Sequence, residues 1–222
     1  MIKAVIFDVD GTLIDSVDLH ARAWQETLAR HGHDLPFADV RHQIGKGGDQ
    51  LLPVFLSEDE VERSGKAIED ERTAHFRREY MDKVRAFPMT RELFGRILGD
   101  GKRIALASSA KEDELKHYEK VARVDDLVEA KTSSDDAERS KPHPDIFQAA
   151  LARLDGVEPG DAIVIGDTPY DAEAAAKAGV RTIGLLCGGF PEAELRAAGC
   201  TAIYKDPADL LARYDDSPLG RE

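Results

Sequence analysis

The chain has 222 residues, 42% of them apolar and 33% charged, with 18 glycines and 10 prolines. This excludes collagen-like, mucin-like and largely disordered chains and fits one domain carrying a substantial insertion. Its 30 lysines and arginines stand against 43 aspartates and glutamates, a formal net charge of −13, the wrong sign for general electrostatic binding to nucleic acid or an anionic membrane.

No apolar run approaches the ~18 residues of a spanning helix. Met1-Ile2-Lys3 leads straight into an apolar segment broken by Asp8 and Asp10, so a mature cytoplasmic start is expected. Cys187 and Cys200 have neither CxxC nor zinc-ligand spacing and read as reduced packing thiols, and the 7 histidines form no HxxxH or HExxH pair. Any metal is therefore expected on oxygen ligands.

In chain order, Ala4-Val5-Ile6-Phe7 is a short continuous apolar run, the pattern of a strand buried on both faces. A long helical stretch follows. Val17, Ala21, Trp24 and Leu28 share one face, Gly32 can end that helix, and a short second segment leads to the loop Gly45-Lys46-Gly47-Gly48. Ser57 with Glu60 reads as a capping box opening a long polar helix that runs towards Lys83. These features predict a helical insert over 14–84. Beyond it, Leu93, Phe94, Ile97 and Leu98 mark a helix, 104–107 a strand, and Ser109 with Glu112 a second capping box. Ile146, Phe147, Ala150, Leu151 and Leu154 mark a helix after Pro144, 162–165 a strand, 172–178 a small-residue helix and 180–186 a strand. The end, 215–222, reads as a frayed tail. Alternating strands and helices predict an α/β fold: a Rossmann-like, doubly wound parallel sheet core from 1–13 and 85–214, with the inserted helices apart from it. Ligands in such a fold bind at the carboxyl ends of the strands.

Chemistry-bearing residues gather at those ends. Asp8-Val9-Asp10-Gly11-Thr12 follows the first strand, Ser108-Ser109 the second, and Gly166-Asp167-Thr168-Pro169-Tyr170-Asp171 the strand at 162–165. Lys141 lies in Ser140-Lys141-Pro142-His143-Pro144, a loop stiffened by two prolines before a helix. Each alone has an ordinary reading as a solvated turn, a helix cap, a solvated lysine or a helix-terminal charge. A hydroxyl and backbone N–H groups at a helix N-terminus, as at Ser108 and Ser109, also make a seat for phosphate.

Together, Asp8-x-Asp10-Gly11-Thr12, Ser108, Lys141 and Gly166-Asp167-x-x-x-Asp171 resemble the four motifs of the haloacid dehalogenase superfamily. The helical insert resembles the C1 cap of its phosphoglycolate phosphatase and beta-phosphoglucomutase-like branch. The resemblance implies Asp8 as nucleophile, Asp10 as general acid/base, and Ser108 and Lys141 as phosphoryl ligands. It further implies a Mg²⁺ site completed by Asp167 and Asp171, with the main-chain carbonyl of Asp10 as a further ligand. The implied reaction is phosphoric monoester hydrolysis of a small phosphorylated metabolite, through an aspartyl-phosphate.

Physical chemistry asks for these residue types. Each unit charge pair at ~4 Å and an effective dielectric near 20 repels by roughly 4 kcal/mol, so Asp8 approaching a phosphate dianion faces roughly 8 kcal/mol. A divalent cation and Lys141 can offset that. Oxygen ligands suit Mg²⁺, which keeps several waters. Asp10 must give a proton and later take one, so its pKa is expected above the ordinary ~3.9.

Within the insert, Lys46, Gly47 and His20 are expected to touch the substrate, whereas Trp24 belongs on the apolar stripe. The stretch 18–24 is similar to the cap helix of beta-phosphoglucomutases, which makes a sugar-phosphate mutase the alternative. The arginine that such mutases carry in the cap loop is missing, with Gly48 near its place, which favours hydrolysis. Asp10 speaks against dehalogenases and phosphonatases, and the insert against signalling receivers.

Overall fold

The structure, a computed structural model, describes residues 1–220. Its strands are β1 (Ala4–Phe7), β2 (Ile14–Asp15), β3 (Arg85–Ala86), β4 (Arg103–Ala107), β5 (Ala130–Thr132), β6 (Ala162–Gly166), β7 (Arg181–Leu185) and β8 (Ala202–Tyr204). The helices are α1 (Val17–Arg30), α2 (Phe37–Arg41), α3 (Gly48–Phe55), α4 (Glu58–Glu79), α5 (Thr90–Gly99), α6 (Glu112–Ala122), α7 (Asp145–Ala152), α8 (Pro169–Lys177), α9 (Glu192–Ala197) and α10 (Pro207–Ala212).

Six strands form one sheet in the order β5-β4-β1-β6-β7-β8, every neighbouring pair parallel. The α/β expectation therefore holds. Alternate residues of β1 face opposite ways: Val5 and Phe7 pack with Leu93, Phe94 and Ile97 of α5 and Leu115 and Tyr118 of α6, while Ala4 and Ile6 pack with Phe147 of α7 and Ala175 of α8. Burial on both faces is why this strand is apolar throughout. Phe7 pairs with Leu106 on one side and Ile165 on the other. That register brings Asp8, Ser108 and Asp167 out at one edge, where the sheet builds away from β1 in both directions. A crevice opens at such a switch point.

Helices α1 to α4 lie between β2 and β3, which pair antiparallel through Ile14 with Ala86 and Asp15 with Arg85. The chain thus leaves and re-enters the sheet region at one place. The four helices share an apolar cluster that includes Val17, Ala21, Trp24, Leu28, Val40, Leu51, Leu52 and Ile68. Trp24 is part of that cluster. Among the described residues no helix is long and apolar enough to cross a membrane, and both cysteines are free.

Several local expectations differ from the structure. Ser57 is the N-cap of α4, but its side chain makes no cap hydrogen bond. Ser109 caps nothing: α6 starts at Glu112 with Lys111 as its N-cap. Among the described residues the capping boxes that form are Ser133 with Asp136 and Thr168 with Asp171; aspartate fills the place where glutamate is the usual signature. Residues 215–220 are not frayed, because Leu219 is buried in the cluster that holds Tyr214 and Leu210, and Ser217 Oγ donates to the Tyr214 carbonyl at 2.6 Å. The rest of the expected tail, 221–222, lies outside the described residues.

Candidate active site

The carboxyl ends of β1 and β6 and the loop before α7 place four charged side chains in contact, all of them buried. Lys141 is 1% exposed; its Nζ donates to Asp8 Oδ1 at 2.5 Å and to the Ala107 carbonyl at 3.3 Å, and it lies 2.8 Å from Asp171 Oδ1. Asp8, Asp167 and Asp171 each bring a carboxylate oxygen within 4.8 Å of the others. Thr12 Oγ1 donates to Asp167 Oδ1 at 2.9 Å, which leaves Asp167 Oδ2 buried without a hydrogen bond. Two glycines leave room for that oxygen: a Cβ on Gly11 would meet it at 2.3 Å and one on Gly188 at 1.7 Å.

With all three carboxylates ionised, this cluster carries three negative charges against one positive. Burial is the largest influence on Asp8 and drives its carboxyl up to about 7 against the pull of Lys141. Burial, then Asp8 and Asp171, hold Asp167 well above the usual carboxylate range. Burial would lower Lys141, but Asp171 and Asp8 more than reverse that and keep it charged. An orphaned buried oxygen in an all-carboxylate set fits a hard divalent cation that brings its own waters. Asp171 fits least as a direct ligand. One oxygen faces Lys141, and the other accepts from the Thr168 amide and hydroxyl in the capping box of α8.

Asp10 stands outside the three-carboxylate cluster. Its Oδ1 accepts from Ser16 Oγ at 2.6 Å and from His20 Nε2 at 2.9 Å. His20 is buried, stacks on Phe76 with centroids 4.0 Å apart, and contacts Tyr118 Oη at 3.1 Å. The Arg72 guanidinium donates to His20 Nδ1, so Nε2 carries the proton given to Asp10. Burial acts to raise the Asp10 pKa, but His20, Ser16 and Arg72 outweigh it and hold the carboxyl below its ordinary value. This corrects the expectation of a raised pKa. Donors and a cation from the inserted helices, not neighbouring carboxylates, dominate at Asp10. His20 is corrected in emphasis as well: it lines the cavity yet spends its ring nitrogens on Asp10, Tyr118 and Arg72.

The cavity at this edge is lined by Asp8, Asp10, Lys46, Gly47, Arg72 and Ser109, among others. Lys46 Nζ donates to Gln43 Oε1 at 2.6 Å and sits 4.6 Å from the centre of the Tyr170 ring. Ser108 is buried and its Oγ accepts from the Ala110 amide at 3.0 Å, leaving the hydroxyl proton free to be donated. The inserted helices close on the sheet through Asp49 Oδ2, which accepts from the Ser140 amide at 3.1 Å, and Arg41, which donates to the Gly188 carbonyl at 3.0 Å. Sequence reasoning missed Arg72, Ser16 and Tyr118. Arg72 carried a signal, since Ile68, Arg72 and Phe76 repeat at four-residue spacing on α4.

The family model for haloacid dehalogenase-like hydrolases matches residues 2–179. The chain belongs to this family. It is 27% identical over 219 residues to a phosphoglycolate phosphatase of Rhodospirillum rubrum, covering 95% of this chain and 90% of that protein. It is also 27% identical over 218 residues to a phosphorylated carbohydrates phosphatase of Thermotoga maritima, covering 94% of this chain and 96% of that protein. A hydrolase from Pseudomonas syringae superposes with a TM-score of 0.88 at 29% identity, covering 96% of this chain and 98% of that one. The expectation of a haloacid dehalogenase-like fold and of a phosphatase holds, with a phosphoglycolate phosphatase among the similar proteins.

Proposed function

We propose that the protein is a Mg²⁺-dependent phosphatase that hydrolyses a small phosphate monoester through an acyl-phosphate on Asp8. The observation that carries this reading is the cluster of three buried carboxylates around one buried lysine at the carboxyl ends of the strands.

Asp8, Asp167 and the carbonyl of Asp10 would hold the cation. When bound, Mg²⁺ neutralises charge on the phosphoryl oxygens and on Asp8. Lys141, fixed between Asp8 and Asp171, adds a positive charge where the phosphoryl group must sit, and the Ser108 hydroxyl donates to one of its oxygens. An Asp8 oxygen attacks phosphorus, the bond from phosphorus to the ester oxygen breaks, and Asp10 gives its proton to the departing alkoxide. Water then attacks the phosphate on Asp8, Asp10 takes one of the water protons, and the bond from Asp8 to phosphorus breaks. Asp8 is regenerated, Asp10 ends the cycle protonated, and alcohol and hydrogen phosphate are the products. His20 and Ser16 hold Asp10 in reach of both proton transfers. A phosphate dianion arriving beside Asp10 opposes its low resting pKa and helps it keep the proton.

Hydrolysis is preferred to phosphate migration between two positions of a sugar, which needs a second phosphate seat at the cap. The cap loop offers Gly47, Gly48 and Asp49 there, with Lys46 committed to Gln43. A cytoplasmic setting with free thiols belongs to the same proposal. The test is phosphate release from a panel of sugar phosphates, phosphoglycolate, nucleotides and p-nitrophenyl phosphate, with Mg²⁺ and after exhaustive chelation. Release that depends on Mg²⁺ is expected; undiminished turnover after chelation overturns the metal assignment, and no release from any ester overturns the phosphatase reading.

A further inference from the structure

The cavity at Asp8 and Asp10 continues outward past Trp24, Arg72, Ser109 and Glu114 into a second cavity of about 270 Å³ between α4 and the loop that precedes α6. Glu114 belongs to both. The first turn of α6 carries Glu112, Asp113 and Glu114, of which the first two are exposed and the third is 1% exposed. Glu114 Oε1 has no hydrogen-bond partner; Arg77 Nε forms an ion pair with it at 3.7 Å, beyond hydrogen-bond reach. A buried polar atom without a partner costs about 1–3 kcal/mol, more when charged. Its position on the path from Asp8 to the exterior calls for a donor on the ligand.

The charges around it point the same way. Of the cations at this mouth, Lys111 donates to Asp135 at 2.9 Å and Lys66 to Asp70 at 3.3 Å, while Arg72 donates to His20, keeps its Nε buried without a partner, and is one positive charge against Glu114, Glu69 and Asp49 in the lining of the same cavity. Glu69 packs over the start of α3, so close that a Cβ on Gly48 would meet its Oε1 at 2.0 Å. Burial first, and then the Asp49 carboxylate, raise the Glu69 pKa against the pull of Lys111 and Lys66.

We propose that Glu114 determines leaving-group specificity: its Oε1, which no hydrogen bond satisfies, accepts one from a hydroxyl of a phosphorylated polyol. Together with Glu69 and Asp49 it disfavours esters whose far end is a carboxylate or a second phosphate. This rests on the phosphatase reading and narrows its substrate class. A site built to pair with a substrate hydroxyl rejects the analogue that lacks it, because its own acceptor is left buried and unpaired.

The test uses two esters that differ at one end only: glycerol phosphate esterified at a terminal carbon, and the phosphoglycerate esterified at the same carbon. For the wild type, kcat/KM is expected to favour the polyol ester by about tenfold or more, the scale of one charged hydrogen bond. Glu114→Gln should narrow that ratio by about tenfold, and Glu69→Gln, on a partly exposed face of α4, should narrow it in the same direction and more weakly. A wild-type ratio near one or favouring phosphoglycerate overturns the proposal whatever the variants do. So does a ratio that Glu114→Gln leaves unchanged. If neither glycerol ester reacts while p-nitrophenyl phosphate does, this inference falls and the phosphatase reading stands; if none reacts, both fall.

Discussion

Replacing Gly188 by alanine tests whether Asp167 is placed for a cation, without touching any group that carries charge. Gly188 is not among the positive-φ glycines, so alanine brings no backbone strain there and acts through its Cβ alone. That Cβ would fall 1.7 Å from Asp167 Oδ2 and 2.4 Å from its Cγ, whereas ordinary contact begins at 3.4 Å. The carboxylate must therefore retreat by more than an ångström. It cannot retreat freely, because Thr12 holds the other oxygen at 2.9 Å and Asp167 is fully buried. Displacing a metal ligand through its surroundings typically costs about 10–100-fold in metal affinity, and a misplacement near 1 Å about 100-fold in rate. The assay is phosphate release from p-nitrophenyl phosphate as a function of Mg²⁺ concentration, with Gly160→Ala as control, since a Cβ at Gly160 meets nothing within 4 Å. Half-activation by Mg²⁺ should move up by about 10–100-fold in Gly188→Ala and stay in place in Gly160→Ala. Identical Mg²⁺ dependence in the two variants would refute the placement of Asp167.

Two other perturbations follow from the titrating groups. In the metal-free protein Asp8 titrates near 7 and Asp167 well above the usual range, so between about pH 4 and 7 the folded chain keeps protons that the unfolded chain has released, and stability falls as pH rises. In chelator the Tm should drop between about pH 5.5 and 7.5, less so in Asp8→Asn, and Mg²⁺ should raise Tm more at the upper pH; a larger Mg²⁺ effect at the lower pH contradicts this. His20→Ala removes the contact that holds Asp10 low. The acid limb of kcat should move to higher pH and the rate should drop by about tenfold or more, the scale of a hydrogen bond to a charged group. An unmoved acid limb would return His20 to a purely structural role.

The three strand-end motifs were legible in the sequence because their polar residues interrupt continuous apolar runs, and the register of β1 with β4 and β6 brings those interruptions to one edge. The edge strands were not. Ala130-Lys131-Thr132 and Ala202-Ile203-Tyr204 are three residues each and partly exposed, too short and mixed for a periodic signal. Partners that join distant segments were equally silent. Asp171 could be read as a metal ligand from its spacing to Asp167, but its engagement by Lys141 depends on how the loop at 140–144 folds back. The low pKa of Asp10 comes from His20 and Ser16 on the first inserted segment and Arg72 on α4. Sequence shows those residues as a helix face, and only packing shows where the face points. Glu114 reads in sequence as one more acidic residue at a helix start; its burial distinguishes it from Glu112 and Asp113.

In the proposed reaction Asp8 is phosphorylated and Asp10 is needed to release the phosphate. Asp10→Asn mixed rapidly with p-nitrophenyl phosphate and Mg²⁺ tests both, because nitrophenolate leaves without a proton while the water of the second step still needs a base. A burst of nitrophenol approaching one per active site is expected, followed by a stall, with acid-quenched protein carrying an acyl-phosphate on Asp8 that Asp8→Asn lacks. Steady turnover at the wild-type rate by Asp10→Asn, or acid-quenched protein without phosphate on Asp8, would contradict this reaction.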